Sequence, residues 1–528
     1  MSAGSMVDAW DATVARNRSA PAIRYFDRLS TVAEVDADAD AFAYWLQHKG
    51  IGRGDVVAVY MQSVPQFVVT VLGVWKAGAT VLAVNPMYRS HELETVLTDS
   101  GAVALVCLEA LHADVAAQVV PATAVRHVVT TSELDGQGGD DPRVFGTSRR
   151  LRLPGTDDLR EVVAAHTGER ASAPRPGPDD AALLTYTSGT TGPPKAAVST
   201  HAALAFNAAT FRDWAGLDPA TDRILGLAPL FHITGMVAHL ATAILTGVPL
   251  ILTHRFHPEL VVDQIREHRP TFTIGPITAF IALQGVPGAT RDDLRCLTKV
   301  MSGGAPVPAA VVSSFEERFG VYIHNAYGLT EASSATHVVP FGTRAPVDPA
   351  SGATSIGRPV RETTARAVDA AGATLAPGEI GELAIRGPQV FAGYRGRPDE
   401  TAHALRGDEL FTGDAAYVDA DGWWFLIDRF KDQINVSGYK VWPREVEDVL
   451  YSHPAVHEVA VVGVPDDYRG QAVAAFVSLE PGQDVTVAEL QSYTRDRLAA
   501  YKCPRHVDLV DELPRTSSGK ILRRALRG

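Results

Sequence analysis

From Val56 to Leu108 the chain alternates short, wholly apolar runs with longer amphipathic ones. VVAVYM and TVLAVN have the pattern of strands buried on both faces. Between them PQFVVTVLGVWKAG opens on Pro65, keeps one apolar face and closes on Gly78, the punctuation of a helix. ALVCL and HVVTT continue the rhythm, which predicts a doubly wound α/β lobe. Residues 135–180 are rich in Gly, Pro, Asp and Arg with little periodicity, and are expected to form a surface excursion. THAALAFNAATFRDWAGL then predicts a helix capped by Ser199 or Thr200. The longest apolar stretch, Met236 to Leu252, is broken by His239, Gly247 and Pro249. It is expected to be a buried helix followed by a strand, not a membrane span. From Arg358 the pattern changes to short β-runs. GELAIRGPQVFAGY (Gly381 to Tyr394) and FTGDAAYVDADGWWFLIDR (Phe411 to Arg429) predict a barrel-like or meander lobe. REVEDVLYSH, AVHEVAVVGV, QAVAAFVSLE, TVAELQSYTRDRLA and HVDLVDEL follow as helix, strand, strand, helix, strand.

A chain of 528 residues outgrows a single core and is expected to divide into at least two domains. Its formal net charge of −13 argues against nucleic acid as a partner, so any polyanionic ligand must be met by local positive charge. The cysteines Cys107, Cys296 and Cys503 share no metal or redox spacing, which fits a reducing compartment. The first residues, MSAGSMVDAWDATVARN, lack a basic region followed by an apolar core. A cytoplasmic protein without a transmembrane segment is expected; nothing in the sequence excludes a homodimer. THRFH (Thr253 to His257) has neither an i,i+4 histidine pair nor a CxxC partner, so a solvated turn is expected there, not a metal site.

The chemistry concentrates in TSGTTGPPK, Thr187 to Lys195. Gly189 and Gly192 let the backbone approach a ligand, so that successive N–H groups can face a phosphate. Thr187, Ser188, Thr190 and Thr191 add hydroxyls, and Lys195 adds a full charge. Pro193 and Pro194 separate that lysine from the last glycine, unlike a Walker A loop. SGGAP (Ser302 to Pro306) and NAYGLTE (Asn325 to Glu331) are each expected to follow a strand, with glycines permitting close approach to a flat heterocycle. Asp414 in TGD suits a grip on two ribose hydroxyls, since a carboxylate accepts two hydrogen bonds and donates none. His232 in PLFHITG is isolated among apolar residues, where most histidines are satisfied core residues.

These strings closely resemble those of the adenylate-forming enzymes, the family of acyl-CoA synthetases, aryl-CoA ligases, adenylation domains and firefly luciferase. The resemblance spans essentially the whole chain, with six motifs in the family's order. It implies a large N-terminal domain, residues 1–430, of doubly wound α/β subdomains and a β-rich lobe, and a small mobile α+β domain, residues 431–528. It implies ATP, Mg²⁺ and coenzyme A as ligands. In such enzymes TSGTTGPPK is the phosphate loop. The two later segments sandwich adenine, which implicates Gly303, Gly304, Ala305, Asn325, Ala326, Tyr327 and Gly328; Ala326 departs from the glycine frequent there. Thr330 would reach the α-phosphate, Glu331 and Thr190 would hold Mg²⁺, and Asp414 and Arg429 would face the nucleotide. His232 would sit beside the carboxylate pocket with Gly235, Met236, Gly304 and Gly328. DRFKDQINVSGYK carries the hinge, with Lys431 at the pivot and Gly438, Tyr439 and Lys440 serving the CoA step. Lys520, in PRTSSGK, would be the catalytic lysine of the closing motif.

The implied reaction joins a carboxylate to AMP and then to the thiol of CoA. A carrier-protein thiol as acceptor, or a catalytically silent nucleotide-binding regulator, stays open at this point. FHITGMVAHL and TIGPITAFIALQ are apolar with small residues interspersed, which suits a fatty-acyl or aryl acid. Neither contains an Asp or Glu to hold an amino group.

Overall fold

The computed structural model describes residues 4–138, 141–172, 174–187, 194–349, 352–437, 439–466, 468–515 and 521–527. Two large sheets carry most of the chain. The first has seven strands in the order Asp157–Asp158, His127–Thr131, Ala104–Leu108, Val56–Tyr60, Thr80–Val84, Ala181–Thr187 and Lys195–Thr200. Every pair is parallel except the last. Val56–Tyr60, Thr80–Val84 and Ala104–Leu108 are buried at every position, as strands covered by helices on both faces must be. Pro65–Lys76 is the helix that Pro65 and Gly78 punctuate. It packs so tightly on helix Val32–His48 that a Cβ at Gly73 would lie 2.7 Å from Phe42 Cδ1.

The second sheet has nine strands: Arg358–Pro359, Ser334–Val338, Ile323–Leu329, Lys299–Gly303, Phe272–Gly275, Ile224–Leu225, Leu250–Leu252, Pro21–Tyr25 and Arg28–Thr31. Its centre is parallel and its two ends are antiparallel. Helix His201–Ala215 joins the two sheets. Thr200 caps it by accepting from Ala203 N, and Gly216 ends it in the left-handed region. A five-stranded antiparallel meander follows, built from Thr364–Val368, Gly381–Arg386, Leu405–Arg406, Glu409–Val418 and Trp424–Arg429.

The last sheet contains Ile434–Val436, Tyr439–Val441, Val456–Asp466, Gly470–Leu479 and His506–Leu509. Helices Pro443–Tyr451 and Val487–Arg495 cover it, and Val446, Leu450, Val459, Val473 and Leu490 belong to its separate apolar cluster. The expected order of helix, strand, strand, helix, strand is present, preceded by the short hairpin at 434–441. The fold is thus mixed α/β, a large N-terminal part and a smaller C-terminal one. Among the described residues no helix is long and apolar enough to cross a membrane.

Three local expectations change. Residues 135–180 are no mere excursion: Asp157–Asp158 extend the first sheet, and Phe145 packs on the rings of Tyr25 and Phe26. Some of the aspartates that helped to suggest a loop supply helix caps, because Asp141 and Asp158 accept from the N–H groups that open two short helices. Nor is THRFH a solvated turn throughout. Thr253 and His254 are buried, His254 lying against Phe145 and accepting from Ser63 N at its carbonyl. Lastly, Asn325–Gly328 lies inside strand Ile323–Leu329 and does not follow it.

Candidate functional site

The antiparallel pair that ends the first sheet is a hairpin closed by Thr187 opposite Lys195. Ser188, Gly189, Thr190 and Thr191, the candidate phosphate-binding residues between them, lie outside the described residues, as do Gly438 and Lys520. Lys195 projects its ammonium over the ring of Tyr394, 5.3 Å from the centroid. That tyrosine sits on the segment Ala392–Arg395, which hydrogen-bonds to the free edge of Lys195–Thr200.

Thr330 and Glu331 occupy a single 3₁₀ turn, Thr330–Ala332, after the strand. The chain leaves it through two non-glycine residues with positive φ, Ser333 at 47° and Ser334 at 101°, a conformation that must be held by its surroundings. Buried Asn207 supplies much of that hold, its Nδ2 donating to Ala332 O at 3.2 Å and to Ser333 O at 2.8 Å. Ser333 Oγ donates to Ser199 Oγ at 2.9 Å. Glu331 is fixed at both ends. Its carbonyl accepts from Phe391 N at 2.9 Å, and its Oε1 accepts from the Tyr394 hydroxyl at 2.7 Å.

The two glycine-containing segments lie side by side. Lys299–Gly303 pairs in parallel with Ile323–Leu329, Gly303 opposite Ala326. A Cβ at Gly303 would come within 2.5 Å of Ala326 O, and one at Gly328 within 1.8 Å of Ser334 O. Neither position accepts a side chain. Gly304 turns the chain at φ 81°, leaving Gly304 exposed and Ala305 half-buried. Asn325 is buried and donates from Nδ2 to Ser355 O at 3.0 Å.

Tyr327 leads from this wall to Asp414. Its hydroxyl donates to Asp414 Oδ2 at 2.6 Å, and Arg429 Nε lies 3.2 Å from Asp414 Oδ1. Asp414 is 5% exposed, so solvent does little to dilute these interactions. Burial pushes the Asp414 carboxyl up, and the Arg429 guanidinium opposes that shift. The same carboxylate holds Arg429 above its ordinary range. Burial and Asp414 together push the Tyr327 phenol well up, so Tyr327 remains the donor. Glu331 lies within electrostatic reach of both Asp414 and Arg429. The Tyr327 hydroxyl occupies one acceptor site on Asp414 and the Arg429 guanidinium is an ion pair beside it, while a carboxylate has about four acceptor sites.

His232 is half-buried, its Nδ1 accepting from Thr234 N at 3.2 Å. The chain then winds into a π-helix, Gly235–Ala241, a form that recurs at functional sites. A Cβ at Gly235 would lie 2.1 Å from Pro229 O, so glycine is required there too. Met236 is fully buried in the main core. His239, within the π-helix, is fully buried as well, and burial drives its pKa down to about 4. It is held neutral between Ala228 O and Ile274 N.

The structure therefore gathers Lys195, Tyr327, Thr330, Glu331, Asp414 and Arg429. It does not bring Tyr439 and Lys440 to them. Tyr439 is 59% exposed and stacks on Tyr501, with ring centroids 4.8 Å apart; Lys440 pairs with Asn435 in the small hairpin. Lys431 lies in the 3₁₀ turn Phe430–Asp432 between the two parts. Sequence reasoning missed Tyr394, Asn207, Ser199 and Ser333. The last three look like ordinary helix and strand polar residues. Tyr394 had a weak signal, a glycine–tyrosine pair ending a β-run.

The sequence model of the AMP-binding enzyme family matches residues 10–395, and that of the AMP-binding enzyme C-terminal domain matches residues 445–520. A long-chain-fatty-acid–CoA ligase of Bacillus subtilis (strain 168) is 35% identical over 527 residues, covering 97% of this chain and 92% of that protein. A feruloyl-CoA synthase of Amycolatopsis sp is 35% identical over 518 residues, 97% of each. Among solved structures, an anthranilate CoA ligase in complex with anthranoyl-AMP is similar with a TM-score of 0.89 at 27% identity, over 99% of this chain and 96% of that one.

Proposed function

The chain belongs to the AMP-binding enzyme family, and from that premise we propose how its residues make it an ATP-dependent carboxylic acid–CoA ligase. In the first step a carboxylate oxygen of a fatty or aryl acid bonds to the α-phosphorus of ATP, and pyrophosphate leaves. In the second the sulfur of CoA attacks the acyl carbon, its proton is lost, and AMP leaves. Phosphate monoester is a far better leaving group than the oxide of a free carboxylate.

The first step brings two anions together, so the site must neutralise charge. Lys195 and Lys520 supply cationic heads, and the backbone and hydroxyls of Thr187 to Thr191 supply donors. Glu331 suits a magnesium ion. It is a hard oxygen ligand, and among the described residues its carboxylate is hydrogen-bonded at Oε1 alone. One carboxylate suffices, because Mg²⁺ commonly takes one or two from protein and the rest from water and phosphate. Glu331, together with Thr190, would hold that ion, which when bound supplies positive charge at the phosphates. Thr330 orients the α-phosphate, and Gly303 to Ala305 with Asn325 to Gly328 form the adenine slot. His232, with Gly235, Met236, Gly304 and Gly328, borders the acid. The domain division at 430/431 lets Lys520 approach for adenylation and withdraw for thiolation, when Gly438, Tyr439 and Lys440 take its place.

What carries this reading is the meeting of Lys195, Glu331 and Asp414–Arg429 between the two large sheets and the meander. It is tested by offering the protein ATP with a panel of fatty and aryl acids, following pyrophosphate, then adding CoA and measuring thioester by mass. An enzyme silent across the panel would overturn it. Pyrophosphate without thioester would point to a different acceptor.

Asp414 gives a sharper expectation. Asp414→Ala removes the carboxylate proposed to grip the ribose and should raise the ATP concentration required by about 10–100-fold, the worth of a charge-assisted hydrogen bond at ~1.5–3 kcal/mol. The ranking of acids should be unchanged. Steady-state titration of ATP against several acids checks both halves, and a changed ranking at normal ATP affinity would move Asp414 to the acid pocket.

A further inference from the structure

Three segments distant in sequence meet at one phenol. Tyr394 donates its hydroxyl to Glu331 Oε1 at 2.7 Å and lies under the Lys195 ammonium, 5.3 Å from its ring centroid. Its backbone leaves it little freedom. Tyr394 N donates to Thr401 Oγ1 at 2.9 Å, Arg395 N to Ala196 O at 2.9 Å and Val198 N to Gly393 O at 3.0 Å. Gly393, at φ 126°, must be glycine, because a Cβ there would lie 2.7 Å from Thr401 Cγ2. The ring rests edge-on against Phe391 with centroids 4.9 Å apart, and Phe391 N holds the Glu331 carbonyl. One rigid segment thus touches Glu331 at both ends and Lys195 at its head.

We propose that Tyr394 is a positioning residue for adenylation: its hydroxyl fixes Glu331 at Oε1 and so orients the carboxylate that would hold the cation, and its ring steadies the Lys195 ammonium. The inference rests on the proposed role of Glu331. A carboxylate on three free χ angles would present its oxygens in many orientations, whereas one tethered at Oε1 keeps Oε2 unencumbered in a fixed direction, and less rotamer entropy is lost when the cation binds. The tyrosine hydroxyl is the donor and the carboxylate oxygen the acceptor. The ring face contributes through its quadrupole, which attracts the ammonium without neutralising it.

Tyr394→Phe removes only the hydroxyl and keeps the ring over Lys195. ATP binding is measured by calorimetry without acid at stepped Mg²⁺ concentrations, for wild type, Tyr394→Phe, Glu331→Gln and the double variant. The thermal midpoint of each reports folding. Tyr394→Phe should raise the Mg²⁺ concentration needed for half-maximal ATP affinity about tenfold, the loss of one charge-assisted hydrogen bond. AMP affinity without Mg²⁺ should not change. The double variant should be no worse than Glu331→Gln, because the tyrosine acts through that carboxylate. An unaltered Mg²⁺ dependence in Tyr394→Phe, with Glu331→Gln impaired, overturns this inference and leaves the metal role of Glu331 standing. An unimpaired Glu331→Gln overturns both. Losses that simply multiply in the double variant mean that Tyr394 acts by another route.

Discussion

Lys520→Ala is expected to slow acyl-adenylate formation by about 10²–10³-fold, the usual cost of removing one preorganised electrostatic contact to the reacting centre. Thioester formation from a supplied acyl adenylate should be nearly unaffected, because the lysine neutralises the approach of carboxylate to phosphate and has no part in thiol attack. Lys520 is outside the described residues with 516–519, but Arg515 and Ile521 on either side of that stretch are described. Arg515 and Ile521 pair across the segment, and Arg515 is held by both oxygens of Glu458 at 2.5 Å. On the other side Arg523 reaches Glu447 at 2.6 Å and Asp428 at 3.2 Å. A lone lysine in a loose tail would gain little from such anchoring. Rapid-quench measurement of each half-reaction decides the matter, and equal losses in both would remove Lys520 from the proposed role.

Lys431→Pro should reduce CoA thioester output by at least about 100-fold while acyl adenylate still forms and stays bound, whereas Lys431→Ala should change little. Lys431 occupies the 3₁₀ turn Phe430–Asp432, where φ is near −50 to −70° and proline's fixed φ of about −65° is admitted. The bond closing that turn runs from Gln433 N to Phe430 O, so a proline at 431 does not remove it. A proline would, however, bar any second arrangement in which this residue takes a different φ. Normal thioester turnover in Lys431→Pro would mean that the two domains do not alternate about this residue.

Much of this molecule could be read from its residues, and what could not has identifiable causes. The parallel strands were legible because burial on both faces leaves unbroken apolar runs, as at Val56–Tyr60 and Thr80–Val84. Helix ends were legible where one residue type does the work, Pro65 at the start of one helix and Gly78 just past its end. Residues 142–165 misled because four buried side chains, Val144, Phe145, Leu159 and Val162, anchor a segment otherwise charged. His254 misled for a related reason, its neighbours in sequence being polar while its neighbour in space is Phe145. In the site, residues that would touch ligand stood out as dense strings. Those that hold them, such as Asn207 and Tyr394, did not, because their role depends on contacts 125 and 63 positions away. No local pattern encodes such a contact.

The segment from Ala392 to Arg395 has a second consequence, for solubility. Lys195–Thr200 is the outermost strand of a seven-stranded sheet, and it would present a row of unpaired amides that any other strand could join. Val198 N and the carbonyls of Ala196 and Val198 are instead taken by Gly393, Arg395 and Ala392. The polypeptide that steadies the carboxylate of Glu331 is therefore also the cover of an adhesive edge. Substitutions that loosen this strip should betray themselves as precipitation on storage or expression as well as lost turnover, and variant libraries aimed at this wall should be screened for both.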